Sequence, residues 1–325
     1  MQRRDFLKAG IVAGLGWPLA ARAAAAAPDA VSIRFNWSWV GNYAPVVLGR
    51  ERGYYKDVGI DLTVGQGKGS GATIRQAGAK LDTFVWADTS ALLVVASQGV
   101  PVKAVMMMTK CNLGVVTLKD RLVIRSARDL IGKKVSATPG DGNTQIWPAV
   151  LAANGMKASD VELVYLDGTA AVAALRTGRV DAAFCGISDQ PVTLRKAGFP
   201  AVAVTFADLG VPTLGSALIT HQDTIREKPD LVRRMVTATQ RSWIAALEDP
   251  KAAVQALVKI AETPLNAELL ANSLEVFQGL ATGAKPTGRI EPAALQQTLD
   301  VLKQHGGLKT DRPADAFFTN DFIGA

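Results

Sequence analysis

The stretch that decides the fold runs from Ile33 to Val64, IRFNWSWVGNYAPVVLGRERGYYKDVGIDLTV. Ile33, Phe35, Trp37 and Trp39 alternate with polar or small residues, the period of a half-buried strand. Gly41, Asn42 and Pro45 break that period and predict a tight strand-to-helix turn. Val46, Val47 and Leu48, followed by Gly53-Tyr54-Tyr55, predict a short helix stopped by glycine. Gly59 turns the chain again, and Ile60, Leu62 and Val64 alternate as a second strand. Strand, helix and strand in that order imply a βαβ unit and so a parallel sheet. Open parallel sheets bind ligands beyond the carboxyl ends of their strands. Here that edge carries Asn36, Trp37, Ser38, Trp39, Asn42 and Tyr43, an aromatic and amide cluster beside a helix start. Trp37 and Trp39 are read as cleft residues, with the core of the first strand as the alternative.

Working outward, 325 residues with 48% hydrophobic content are enough for two domains with their own cores. The one long apolar stretch is N-terminal and too short to be a membrane span. Arg3-Arg4, Asp5, Phe6, Leu7 and Lys8 precede an apolar run from Ala9 to Ala20 and then Ala21-Arg22-Ala23. A basic start, a modest apolar centre and a small-x-small site predict a cleaved export signal over residues 1–27, and the paired arginines resemble a twin-arginine signal. No cysteine follows the apolar run, so no lipid anchor is expected. Losing Arg3, Arg4, Lys8 and Arg22 together with Asp5 lowers the net charge of +7 by three. The remaining charge is spread along the chain without a basic cluster, which argues against nucleic acid as a partner. Cys111 and Cys185 both lie in apolar strand-like contexts and read as two buried thiols.

After the opening unit, Gly65, Gly67, Gly69 and Gly71 look superficially like a phosphate loop, but the required glycine spacing is absent. The segment reads as a turn leading into a helix from about Ala72 to Gly78. Leu81 to Ala87 is a third strand, and Asp88-Thr89-Ser90 stands before an apolar helix from Ala91 to Gly99. Asp88 suits a helix cap, and together with Trp86 it also suits a cleft wall at a strand's carboxyl edge. Further strands follow at Val102 to Met108 and Cys111 to Leu118. A strand ending at Thr138 leads through Pro139-Gly140-Asp141-Gly142 into a helix from about Asn143 to Ala153. Gly140 lets the backbone approach a ligand, and the helix start supplies N–H donors. Asp141 reads either as an Asx turn or as a ligand carboxylate. Val161 to Leu166, Ala170 to Thr177 and Gly178 to Phe184 continue as strand, helix and strand, with Ser188, Asp189 and Gln190 at the last strand's end. From Lys228 onward the chain is largely helical, and Trp243 is expected in its core.

Four segments carry a resemblance. ERGYYKDVGIDLTV (51–64), SARDLIGKKV (126–135), LRTGRVDAAF (175–184) and EKPDLVRR (227–234) are similar to periplasmic solute-binding proteins of ABC importers. The nearest group includes binders of thiamine-pyrimidine precursors and of nitrate, taurine and alkanesulfonates. The resemblance implies an α/β fold of two lobes, a type II periplasmic binding protein. Each lobe is then a mixed, mainly parallel sheet flanked by helices, with two hinge crossings. It implies lobe 1 from residues 28–114 and 213–325 and lobe 2 from 115–212. It places Ser70 and Gly71 at a cleft rim, and has the turn around Gly140 and Asp141 grip the polar end of a solute. The implied partners are a small-molecule solute, an inner-membrane ABC permease and the twin-arginine export machinery. A monomer in the periplasm is expected.

Catalysis is poorly served by this sequence. Its two histidines, His221 and His305, are not near a serine or cysteine motif, and no HExxH or paired CxxC appears. Yeast proteins similar to this group that make the thiamine pyrimidine carry a cysteine-rich iron motif, which is absent here. No cofactor, metal or catalytic residue is therefore expected. The expected ligand contacts are Asn36, Trp37, Trp39, Asn42, Tyr43, Ser70, Trp86, Asp88, Gly140, Asp141, Asn143 and Asp189. The rings would stack a flat heterocycle, while the amides and carboxylates pair with its donors. An anion would instead recruit Arg or Lys at strand ends, and these segments are short of them. A thiamine-related pyrimidine thus ranks ahead of aliphatic sulfonate, taurine or nitrate.

Overall fold

Val31, Ile33 and Phe35 are buried while Ser32 and Arg34 between them are not, so the first strand presents one face to a core. This strand, β1 (Asp29–Phe35), is the second of five in a sheet of a computed structural model that describes residues 27–109, 112–280 and 287–324. The chain continues through α1 (Ala44–Glu51), β2 (Ile60–Gly65), α2 (Ser70–Gly78), β3 (Phe84–Asp88), α3 (Thr89–Ser97) and β4 (Val102–Met107). Between Met107 and Leu113 it leaves for a second sheet. There follow β5 (Leu113–Leu118), β6 (Lys134–Ala137), α4 (Gly142–Ala153), β7 (Glu162–Tyr165), α5 (Gly168–Arg176), β8 (Ala182–Gly186), α6 (Gln190–Lys196) and β9 (Ala201–Thr205). The chain then returns as β10 (Ser216–His221) and closes with α7 (Gln222–Glu227), α8 (Pro229–Glu248), α9 (Pro250–Ile260), α10 (Ala267–Gly279) and α11 (Pro292–Gln304).

The first sheet has the order β2-β1-β3-β10-β4 and the second β7-β6-β8-β5-β9. In each, one strand runs against its neighbours: β10 pairs antiparallel with β3 and β4, and β5 with β8 and β9. These two strands are the ones that follow the passages between sheets. The architecture is the two-lobed, mixed and mainly parallel α/β arrangement expected, and the strands of the opening βαβ unit pair in parallel from Asp29↔Ile60 to Arg34↔Gly65.

One expectation about β1 needs correction. The alternating run does not continue as a strand through Trp37 and Trp39; β1 ends at Phe35. Its ladder partners end there, Phe35 opposite Trp86 and Arg34 opposite Gly65. The next backbone carbonyl, on Asn36, accepts from the Gly69 amide instead (2.8 Å). Trp37 and Trp39 therefore sit on a bend beyond the sheet edge, half-buried.

The first lobe's core is aromatic. Phe35 stacks on Tyr43 (centroids 4.1 Å apart), and Trp86 stacks on Trp243 (6.2 Å) with Phe277 beside both. Trp243 is 1% exposed, a core residue as expected. A second apolar cluster joins Val85 and Ala87 of β3 to Trp147 of α4 and Phe184 of β8, running along α3 and α4, so the lobes share a hydrophobic seam on one side. Among the described residues, no helix is long and apolar enough to cross a membrane. The export-signal arginines and Cys111 lie outside the described residues.

Candidate functional site

The carboxyl ends of β1, β3, β6 and β8 converge on the gap between the lobes. Asp88, the last residue of β3, holds the first lobe's side together. Its Oδ2 accepts from Ser70 Oγ (2.7 Å) and Asn36 Nδ2 (3.4 Å), and its Oδ1 accepts from Ser216 Oγ (2.8 Å). Ser70 Oγ in turn accepts from Asn36 Nδ2 (2.9 Å) and the Asp88 amide (3.2 Å). Tyr43 Oη donates to Asn36 Oδ1 (2.9 Å). One buried carboxylate thus ties the ends of β1 and β3, the start of α2 and the start of β10 into a single edge. Asp88 stands at the N-cap position of α3 yet makes no capping bond with its side chain, because both oxygens are used across the sheet. Burial raises its pKa, against the lowering effect of the Ser70 and Ser216 hydroxyls.

The second lobe contributes the start of α4. Asp141 caps that helix, its Oδ1 accepting from the Thr144 amide (2.7 Å), and Asn143 Nδ2 lies 3.4 Å from its Oδ2. Asn143 Oδ1 accepts from the Gly114 amide (3.1 Å), fixing the helix start to β5. Asp189 stands before α6 without capping it, so its carboxylate is left toward the gap. Enclosure in the cleft pushes both Asp141 and Asp189 up to about 6. Tyr43 is pushed up by burial and by the charges of Asp88 and Asp189, so its hydroxyl remains a donor. The Cys185 thiol is raised by burial, then by Asp189, and stays protonated.

The lobes meet directly around this gap. The Gly71 amide donates to Gly140 O (3.2 Å), Ser188 Oγ lies 3.2 Å from Asn42 Oδ1, and Lys196 pairs with Glu268 (2.6 Å) at the surface. What remains is a narrow slot with about 80 Å3 of free volume. Ten of the expected residues line it: Asn36, Trp37, Asn42, Tyr43, Ser70, Trp86, Asp88, Asp141, Asn143 and Asp189. Among the described lining residues none is Lys or Arg.

Three expected contacts are placed differently. Trp39 lies outside the slot, edge-on to Phe35 (5.9 Å) in an adjoining groove. Gly140 stands at the rim, its carbonyl taken by Gly71. Trp86 lines the slot but is 2% exposed, with its ring packed among Trp243, Phe277, Tyr43 and Phe35, so it cannot offer a free face for stacking.

Sequence reading missed Ser136, Asn112 and Ser216. Ser136, on β6, lines the slot at 1% exposure, and its hydroxyl has no partner. A buried hydroxyl left without a partner costs on the order of 1–3 kcal/mol. A lone serine in a short apolar strand gives no sequence signal. Among the described residues no group of His, Cys, Asp and Glu is arranged to hold a metal ion.

Comparison with known proteins agrees with this fold. A family model described as NMT1/THI5 like matches residues 40–253. The riboflavin-binding protein RibY of Chloroflexus aurantiacus is 25% identical over 94% of this chain and 90% of its own length. A Haemophilus influenzae protein named for thiamine biosynthesis is 22% identical, covering 86% of this chain and 88% of its own. The alkanesulfonate-binding protein SsuA of Xanthomonas axonopodis pv. citri, solved with MOPS bound, superposes with a TM-score of 0.71 at 16% identity, over 91% of this chain and 99% of that one.

Proposed function

We propose, from the premise that this chain belongs to the NMT1/THI5-like family, that it is a solute receptor of an ABC importer whose ligand is a flat heterocycle bearing N–H donors. Residues 1–27 act as its export signal, the mature protein works in the periplasm, and it hands its ligand to an inner-membrane permease. It binds and does not transform the ligand.

The observation that carries the ligand class is the lining of the slot. Asp88, Asp141 and Asp189 come from both lobes, with Asn36, Asn112 and Asn143 among them and no Lys or Arg among the described lining residues. Such a set accepts hydrogen bonds from amino or ring N–H groups, and Asp189, whose carboxylate caps no helix, is the one most in need of a donor. Nitrate or a sulfonate would meet three carboxylates at close range, which disfavours them. Trp37 and Phe184 give the slot apolar walls suited to a flat ring. The two named sequence relatives, a riboflavin binder and a protein of thiamine biosynthesis, support a heterocycle in their own names. Ligand contacts with both lobes would favour the closed arrangement over an open one.

A thermal-shift series on residues 28–325 tests the reading, using aminopyrimidines, flavins, taurine, an alkanesulfonate and nitrate. A ligand at a hundredfold excess over Kd adds about 2.7 kcal/mol, a rise of about 4 °C for a chain of this size. Stabilisation by an aminopyrimidine or flavin is the expected result. A response to taurine, sulfonate or nitrate alone would reverse the ranking. Exchanging Arg3 and Arg4 for lysines should abolish periplasmic accumulation, and an unchanged yield would remove the twin-arginine route.

A further inference from the structure

On one side the slot opens into a groove of about 890 Å3. Trp37, Val40, Thr138, Gly168, Asp189 and Gln190 line both spaces and so form the throat where the two adjoin. The throat is set by Trp37, whose indole from the first lobe lies over the first residue of α5 in the second. A Cβ at Gly168 would stand 2.6 Å from Trp37 Cζ2.

Outside the throat the walls change character. Trp39, Pro139, Val172 and Ala173 supply apolar flanks, and two cations face the space from opposite lobes, Lys68 and Arg176. The acidic groups there are Asp167 and Asp189. Asp167 is engaged in capping α5, accepting from the Ala170 amide (2.8 Å). Asp189 belongs to the throat. Lys68 is exposed, but its backbone is fixed. Gly67 and Gly69 on either side donate to the carbonyls of Trp37 (3.4 Å) and Asn36 (2.8 Å), which keeps the lysine beside the throat. Arg176 stacks over the Phe199 ring at 4.9 Å, an arrangement that leaves the in-plane N–H groups of a guanidinium free to bind an acid.

A single ring suits the slot, and beyond the Asp189 carboxylate, which the two spaces share, the larger space adds the two cations. Resting on the receptor reading above, we infer that the natural ligand is bipartite. Its flat head fills the slot, and an arm passes Trp37 to place a carboxylate or phosphate between Lys68 and Arg176. The molecule would be a zwitterion-like solute, with N–H donors at one end and an acid at the other, matching a receptor whose cleft is acidic inside and basic at its mouth.

Calorimetric titration with three probes tests this: 4-amino-2,5-dimethylpyrimidine, the same ring with a four-carbon arm at C5 ending in a carboxylate, and that arm ending in a hydroxyl. The carboxylate arm should tighten binding about tenfold over the bare ring, as expected of charge-assisted hydrogen bonds, and the hydroxyl arm should not. Lys68→Glu, at an exposed position, should weaken the carboxylate-armed probe about tenfold more than the bare ring. Equal affinity for bare and armed rings overturns the arm and leaves the receptor reading standing. A hydroxyl arm that gains as much as the carboxylate overturns the acidic terminus. Binding of none of the three overturns the heterocycle reading of the slot, and this inference with it.

Discussion

Gly142, the first residue of α4, faces the Asp88 carboxylate across the cleft so closely that a Cβ at position 142 would overlap the Asp88 side chain. Asp88 has no room to withdraw, since Ser70, Asn36 and Ser216 hold both of its oxygens. The absence of a side chain at Gly142 is therefore what lets the lobes come together at this point. Gly142→Ala should leave each lobe intact, with the ligand-free melting temperature within about 2 °C of the parent. It should weaken solute binding by roughly fivefold to a hundredfold, the overpacking range of about 1–3 kcal/mol. Titration calorimetry alongside small-angle scattering reads both effects, and full affinity in the variant would show that the cleft binds without this approach.

Ser136 offers a complementary test. Its hydroxyl is buried without a partner, so Ser136→Ala removes a desolvated group from the ligand-free protein. The melting temperature should hold or rise, while ligand affinity falls by roughly threefold to tenfold, ~0.5–1.5 kcal/mol for one hydrogen bond. A ligand that binds the alanine variant as tightly makes no bond to this oxygen.

The elements were largely legible because local chemistry sets them. Glycine at positions such as Gly59, with φ +69°, closes a turn that few other residues adopt, and the alternation of Ile60 and Leu62 then fixes the strand face. The carboxyl edge of the sheet was legible too, because a parallel ladder sends its strand ends to one side. What escaped depends on partners distant in the chain. Asp88 reads locally as a helix cap, and only the approach of Ser216 from 128 residues away turns it into the knot of the first lobe's edge. Trp86 reads as a cleft wall until α8 and α10 bring Trp243 and Phe277 over its ring. Trp39 continues an alternating pattern after the hydrogen-bonding partners of the strand have run out.

The two tryptophans Trp86 and Trp37 should therefore separate stability from binding. Trp86→Ala removes a fully packed ring and should cost about 3–5 kcal/mol in urea unfolding, as large-to-small core changes do. Trp37 is half-buried beyond the end of β1, so Trp37→Ala should cost under about 1.5 kcal/mol of stability while lowering ligand affinity by at least about tenfold, the loss expected of a stacking ring in a desolvated contact. Similar losses of stability in both variants would place Trp37 in the core after all.

Acidification should move folding and binding in opposite directions. Asp141 and Asp189 titrate near 6 in the closed protein because enclosure disfavours their charged forms, against about 4 in an unfolded chain. Between those values the native protein holds protons that the unfolded chain has released, so stability falls as pH rises from about 4 to about 6 and stays at the lower level above. These two groups thus make the ligand-free protein more stable at pH 5 than at pH 7.5, and Asp141→Asn with Asp189→Asn should flatten that part of the profile. A ligand that donates N–H groups needs the ionised carboxylates, so its stabilising increment should be full above pH 7 and shrink on passing below 6. Melting curves with and without a saturating aminopyrimidine at pH 7.5, 6.5, 5.5 and 5.0 measure both trends in one experiment. An increment that grows on acidification would mean that the cleft prefers its carboxyls protonated, as it would for nitrate or a sulfonate, and would overturn the donor-bearing heterocycle as the solute.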